Sequence, residues 1–235
     1  MDSAIRAYNY GFITEEALIE NIIGNNGIIP RVGYNIVGDR MNIVFRVEFT
    51  GDMLNEVFPG TDKTYKQLFI EGVEGYWSGS LDELGIYMDM NVVEFDSSFC
   101  EVETINMISF ERAVEERKPG KKNDGYISKY RGQIIDIVDF DYHKDQRVNR
   151  FTDTGRFQYI CAHESGHAFG LCDLHDKGFY NPNVDSIMWG KVNYGVEDNT
   201  LDLRMLYEAL TVGGPIEYSD KPQILDRYAP GWERR

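Results

Sequence analysis

Between Thr61 and Trp77 the apolar residues Tyr65, Leu68, Phe69, Val73, Tyr76 and Trp77 recur at spacings of three and four. That period lines one stripe of a helix, so an amphipathic helix is predicted there, with Thr61 or Asp62 as cap and Gly79 as terminator. Met41–Thr50 (MNIVFRVEFT) instead alternates apolar and polar positions and stops at Gly51-Asp52, which reads as a strand. Gly85–Phe95, Ile105–Val114 and Tyr126–Phe140 are rich in Ile, Val, Tyr and Phe and read as further strands, the last two separated by the loop EERKPGKKNDG.

Ahead of these, a short helical stretch around Thr14–Ile23 gives way to the breaker NNGIIPRVG. Downstream, Phe157–Phe169 turns helical, with Asp153 or Thr154 as N-cap and Gly170 as the left-handed residue that ends it. Leu171–Asn199 carries turn-formers and little periodicity. A closing helix at about Asn199–Thr211 then puts Leu203, Leu206, Tyr207 and Leu210 on one face. The expected fold is α+β: a mixed sheet with a backing helix, a second central helix, an irregular stretch and a closing helix.

A chain of 235 residues holds one domain of ordinary size, here expected to have two lobes. With 42% hydrophobic residues and no long apolar run, no membrane-spanning segment is predicted. The net charge of −15 repels phosphate backbones and anionic headgroups, so neither nucleic acid nor membrane is an expected partner, and the chain is read as a monomer. The start, MDSAIRAYNYGFITEEALIE, shows no basic region followed by an apolar one and reads as carrying no export signal. Cys100, Cys161 and Cys172 are odd in number. Cys161 and Cys172 bracket the histidine segment and are read as free thiols in preference to a pair.

The chemistry concentrates in HESGHAFGLCD, residues 163–173. His163 and His167 stand four apart, on one face of a helix, where two imidazoles can hold one tetrahedral cation. Glu164 is placed to reach a water on that cation without entering its coordination sphere, which is the HExxH pattern. Gly170, lacking Cβ, lets the helix stop and the chain turn back. Asp173 is the next candidate ligand after that turn, with His175 two residues further as the alternative. Separately, Asp136, Asp139, Asp141, His143 and Asp145 form an acidic stretch in which Ca2+ is considered, although it lacks the Gly and terminal Glu of a calcium loop; a solvated strand end is preferred.

These residues resemble the metzincin metallopeptidases, whose extended pattern is HExxHxxGxxH or, in a snapalysin-like branch, HExxHxxGxxD. His163, Glu164, His167, Gly170 and Asp173 match the aspartate form position by position, and GHAFGL is similar to the corresponding stretch of matrixins. Ser186-Ile187-Met188 resembles the Met-turn of that group, in which Met188 forms an apolar floor and does not ligate. The resemblance is specific over residues 153–210, architectural over 40–150, and absent over the first forty.

The resemblance implies a two-lobed zincin: a single catalytic domain over 1–235, with an N-terminal lobe to about residue 170 and a C-terminal lobe from about 171. It implies one catalytic Zn2+ held by His163, His167 and Asp173, with Glu164 as general base in hydrolysing a peptide or protein substrate. An aspartate in place of a third histidine lowers the net charge of the loaded site from +2 to +1. Trp189 through Tyr194 would wall the specificity pocket. Where some branches carry a tyrosine two residues after the methionine, this chain has Gly190, so any such phenol would come from Tyr180 or Tyr194. Relatives act mostly outside the cell, which conflicts with the absent signal, and the compartment stays open. Two other classes remain: a metal-dependent hydrolase of a non-peptide amide, which would need a closed small-molecule pocket, and a catalytically silent metal-binding module, against which the intact Glu164 argues.

Overall fold

Strand β2 (Arg40–Thr50) is the spine of the molecule, and its sequence explains why: Met41, Ile43, Phe45, Val47 and Phe49 are all buried on one face, and Val44 and Arg46 are buried on the other. A strand covered on both faces belongs in the middle of a sheet. A computed structural model of the chain describes residues 31–98, 100–115, 128–142, 148–150, 153–171, 173, 179–180, 186–189, 198–213 and 233–234. The helix expected over Thr14–Ile23 lies outside them, as do the EERKPGKKNDG loop after Glu115 and most of NNGIIPRVG.

Along one edge β2 pairs in parallel with β4 (Ile86–Glu94). Along the other it pairs first with β1 (Val32–Val37), antiparallel, and then with β5 (Glu103–Ile108), parallel. The sheet continues from β5 to β7 (Ile134–Val138), parallel, and ends on antiparallel β6 (Lys129–Tyr130); β3 (Gly79–Leu81) closes the far side against β4. The order is therefore β3-β4-β2-β5-β7-β6, a curled mixed sheet whose four inner strands run parallel. Short ladders join β8 (Phe140–Tyr142) to β9 (Val148–Arg150) and β10 (Phe179–Tyr180) to β11 (Glu233–Arg234).

The backing helix α1 (Tyr65–Tyr76) buries Tyr65, Leu68, Phe69, Gly72 and Val73, the stripe its period predicts. Its cap is Thr64, three residues later than Thr61: the Thr64 hydroxyl accepts from Gln67 N while the Gln67 side chain accepts from Thr64 N, a reciprocal box worth about 1 kcal/mol. Its end is Trp77, and Gly79 begins β3 instead of terminating the helix. Two other expectations are corrected. The run Ile105–Val114 is a strand only to Ile108, because Ser109 and Asp139 cap a short helix α2 (Phe110–Glu115) through Arg112 N and Phe110 N. The run ending at Phe140 is broken by a reversal at Gly132, whose φ of 77° lets β6 fold back on β7. Val32 and Gly33, which close the breaker NNGIIPRVG, begin β1, and β1 turns into β2 at Gly38.

The central helix α3 (Thr154–Ala168) packs on α1 and on the β6–β7 end of the sheet. Of its two candidate caps the chain uses Asp153, which accepts from Gly155 N and Arg156 N at 2.9 and 3.3 Å. Gly72 is where the two helices touch: a Cβ there would stand 2.8 Å from Gln158 Cα, closer than any side chain tolerates. Trp77 locks the pair, donating from Nε1 to Ala162 O at 3.0 Å, and Phe169 packs edge-on against both Phe45 and Trp77. The closing helix α4 (Thr200–Glu208) runs on into a wider π-turn, Ala209–Gly213, and buries Leu203, Leu206 and Leu210 in the same core. No helix of the described residues is long and apolar enough to cross a membrane.

Candidate metal centre

His163, Glu164 and His167 share the C-terminal part of α3, and the way α3 stops brings Asp173 to them. Leu171 N bonds Gly166 O and Gly170 N bonds His167 O, both at 3.0 Å, with Gly170 at φ 83°. This pair of reversed bonds is a Schellman motif, which requires a left-handed residue at that position. The turn has two effects. It returns the chain so that Asp173 faces the histidines, and it aims Leu171 O at His167 Nδ1, 3.0 Å away.

His163 Nδ1 makes the matching bond to Ile187 O at 2.9 Å. A carbonyl can only accept, so each Nδ1 carries a hydrogen, and in the neutral ring it is Nε2 that presents a lone pair. Those Nε2 atoms lie 3.4 and 3.5 Å from Asp173 Oδ1, and the three ligating atoms all fall within 4.8 Å of one another. Contacts of that length are too long for N–H···O hydrogen bonds. They suit a tetrahedral ion: with metal–ligand bonds of about 2.05 Å, neighbouring ligand atoms stand about 3.4 Å apart. Three lone-pair atoms converging in this way repel one another unless a cation lies between them, so the residues present fit zinc. Among the described residues this is the one group of three or more His, Cys, Asp or Glu side chains that converges so.

Glu164 is 7% exposed and lies near enough to Asp173 for the two carboxylates to act on each other. Burial, with the Asp173 and Asp136 carboxylates adding to it, pushes its carboxyl up to about 8, against the pull of a hydrogen bond from the Tyr130 backbone N–H. The Tyr130 ring stacks on His167, centroids 6.1 Å apart and planes 28° apart. Met188 is fully buried and packs against Gly166, where an added Cβ would meet its Sδ at 2.4 Å and Trp77 Cζ2 at 3.0 Å. The second free position of HExxH is thus occupied by the one residue that lets the methionine and tryptophan approach.

Behind the ligands lies a hydrogen-bonded hub that the sequence reading missed. Asp202 on α4, fully buried, accepts from Tyr76 Oη and Ser186 Oγ at 2.5 Å each and from Ile187 N at 2.8 Å. Ser186 Oγ in turn accepts from Met188 N at 3.1 Å, and Tyr159 Oη donates to Ile187 O at 3.3 Å. Asp202 therefore holds the peptide whose carbonyl orients His163. The signal was available: Asp202 occupies the buried stripe of α4 with Met205, Leu206 and Ala209, where a lone carboxylate demands partners.

Of the remaining expected residues, His143, Asp145, Cys172, His175, Gly190 and Tyr194 lie outside the described residues, as do the side chains of Asp141, Tyr180 and Trp189. In the acidic stretch, Asp136 pairs with Arg131 and accepts from Asn106, while Asp139 caps α2. Cys100 and Cys161 are free thiols, and burial raises Cys161 above its ordinary range. A cavity of about 420 Å³ between α1 and α3, lined by Glu71, Tyr76, Asp153, Arg156 and Tyr159, lies apart from the ligands. Comparison with protein-family models, with curated proteins and with solved structures found no match.

Proposed function

We propose that this chain is a zinc-dependent endopeptidase, in which His163, His167 and Asp173 hold the metal and Glu164 is the general base. The observation that carries the reading is the convergence of two orientated imidazole Nε2 atoms and one carboxylate oxygen at tetrahedral separations, beside a buried carboxylate that is not part of the set. A zinc ion bound there supplies a Lewis acid that polarises a carbonyl and acidifies water in its open position. Glu164 takes the proton from the attacking water and delivers it to the departing amide nitrogen. A peptide in preference to a small amide is supported by β6, the last strand in the described sheet order, whose Tyr130 N–H is turned away from β7 toward Glu164. An edge strand beside the reacting groups offers an extended chain backbone partners.

The test is cleavage of a diverse peptide mixture by the zinc-loaded protein, read by mass spectrometry, with Glu164→Ala in parallel. Wild-type cleavage that falls at least roughly 100-fold in the variant, with zinc still bound, is expected. Equal cleavage by both proteins removes Glu164 from the mechanism.

A further inference from the structure

One buried ion pair has no part in the reaction just described. Glu103 enters the core from β5, opposite Val47, and is fully buried, with Arg31 Nη1 3.4 Å from its Oε2. A buried ion pair seldom adds net stability, because removing two charges from water offsets their attraction, and apolar residues would fill the same space as well. What such a pair contributes is position, and here it bears on Tyr130. The Arg31 guanidinium lies close enough to the Tyr130 phenol to act on its oxygen, while β6 holds the backbone of Tyr130 opposite Ile135. The ring is therefore tied at both ends.

Its other contacts belong to the metal centre. The ring face lies on His167 and the backbone N–H reaches Glu164. His167 needs such a contact: its bond to Leu171 O restrains one edge of the imidazole, and the plane can still tilt about that point. A flat ring stacked on the imidazole removes the tilt, and with it the spread of directions in which Nε2 points. We propose that Tyr130 is a positioning residue of the metal centre, and that the Arg31–Glu103 pair is the anchor that holds its ring against His167. This rests on the metal-binding reading above and extends it to three residues that the HExxHxxGxxD pattern does not contain.

The experiment measures zinc affinity by chelator competition, and the visible spectrum of the Co2+-loaded protein, for wild type, Tyr130→Phe and Tyr130→Ala. Thermal melting of each metal-free protein separates folding from binding. Loss of a residue that orients a ligand weakens metal binding roughly tenfold, so Tyr130→Ala is expected to lose about that and to change the Co2+ spectrum. Tyr130→Phe keeps the ring but breaks its tie to Arg31, and its affinity is expected between the two. If Tyr130→Ala melts below the assay temperature, Tyr130→Leu takes its place. An alanine or leucine variant within twofold of wild type, with an unchanged Co2+ spectrum, overturns the proposal. A wild type that binds zinc yet cleaves no peptide overturns the peptidase reading alone, and the Tyr130 comparison still decides this one. A wild type that binds no zinc overturns both.

Discussion

Gly170 shapes the site without contributing an atom to it. Its φ of 83° is a conformation in which a side chain costs roughly 1–2 kcal/mol, and both consequences of the turn, Leu171 O on His167 and Asp173 facing the two histidines, depend on it. Gly170→Ala is expected to lower stability by about that amount, measured by denaturant titration, and to weaken zinc binding by more than an equivalent change on the surface of α3. Unchanged affinity in a variant destabilised as expected would show that Asp173 reaches the metal without this turn. The residue types of the centre were legible in the sequence, since histidines four apart and a glycine three further on have few other uses together. Tyr130 was not, because a tyrosine in an aromatic run reads as packing until its ring is seen on His167.

At the level of elements, the site is assembled by helices that are far apart in the chain. α3 supplies the histidines, yet the orientation of His163 is decided by Ile187, and Ile187 is held by Asp202 of α4 and Tyr76 of α1. Asp202→Asn puts an amide group among donors that need an acceptor. Losing charge-assisted hydrogen bonds of this kind costs about 3 kcal/mol, which in a chain of this size lowers the melting temperature by roughly 6–12 °C. Zinc affinity is expected to fall about tenfold with it, measured at a temperature where both proteins are folded. A cooler melt with unaltered affinity would make Asp202 a purely structural group. The sequence reading located α1, α3 and α4, whose apolar periods are strong, but it read α2 as strand, and its helix at Thr14–Ile23 lies outside the described residues. It misjudged their ends and two strands because caps such as Thr64 and Ser109, and the reversal at Gly132, are short-range features that compete with composition.

For the molecule as a whole, the buried Glu103 makes stability depend on pH. Burial raises its carboxyl to about 7, with Arg31 opposing the rise, whereas in the unfolded chain it titrates near 4.5. The folded state thus holds a proton that the unfolded state has already released, and stability falls as pH rises from about 5 to about 7. At about 1.4 kcal/mol per unit the loss is on the order of 3 kcal/mol, and Glu103→Gln is expected to flatten that part of the curve of melting temperature against pH. A variant whose curve parallels the wild type would assign the dependence to other groups.

The sequence by itself determined helices α1, α3 and α4, the inner strands β2, β4, β5 and β7, the stripes that form the core, and the candidate set His163, Glu164, His167 and Asp173, because these depend on spacing within a few turns of chain. Only the tertiary structure decided what orients those residues. The carbonyls on His163 and His167, the hub at Asp202 and the stacked ring of Tyr130 join positions up to 126 residues apart, and contacts of that separation leave no period in the sequence.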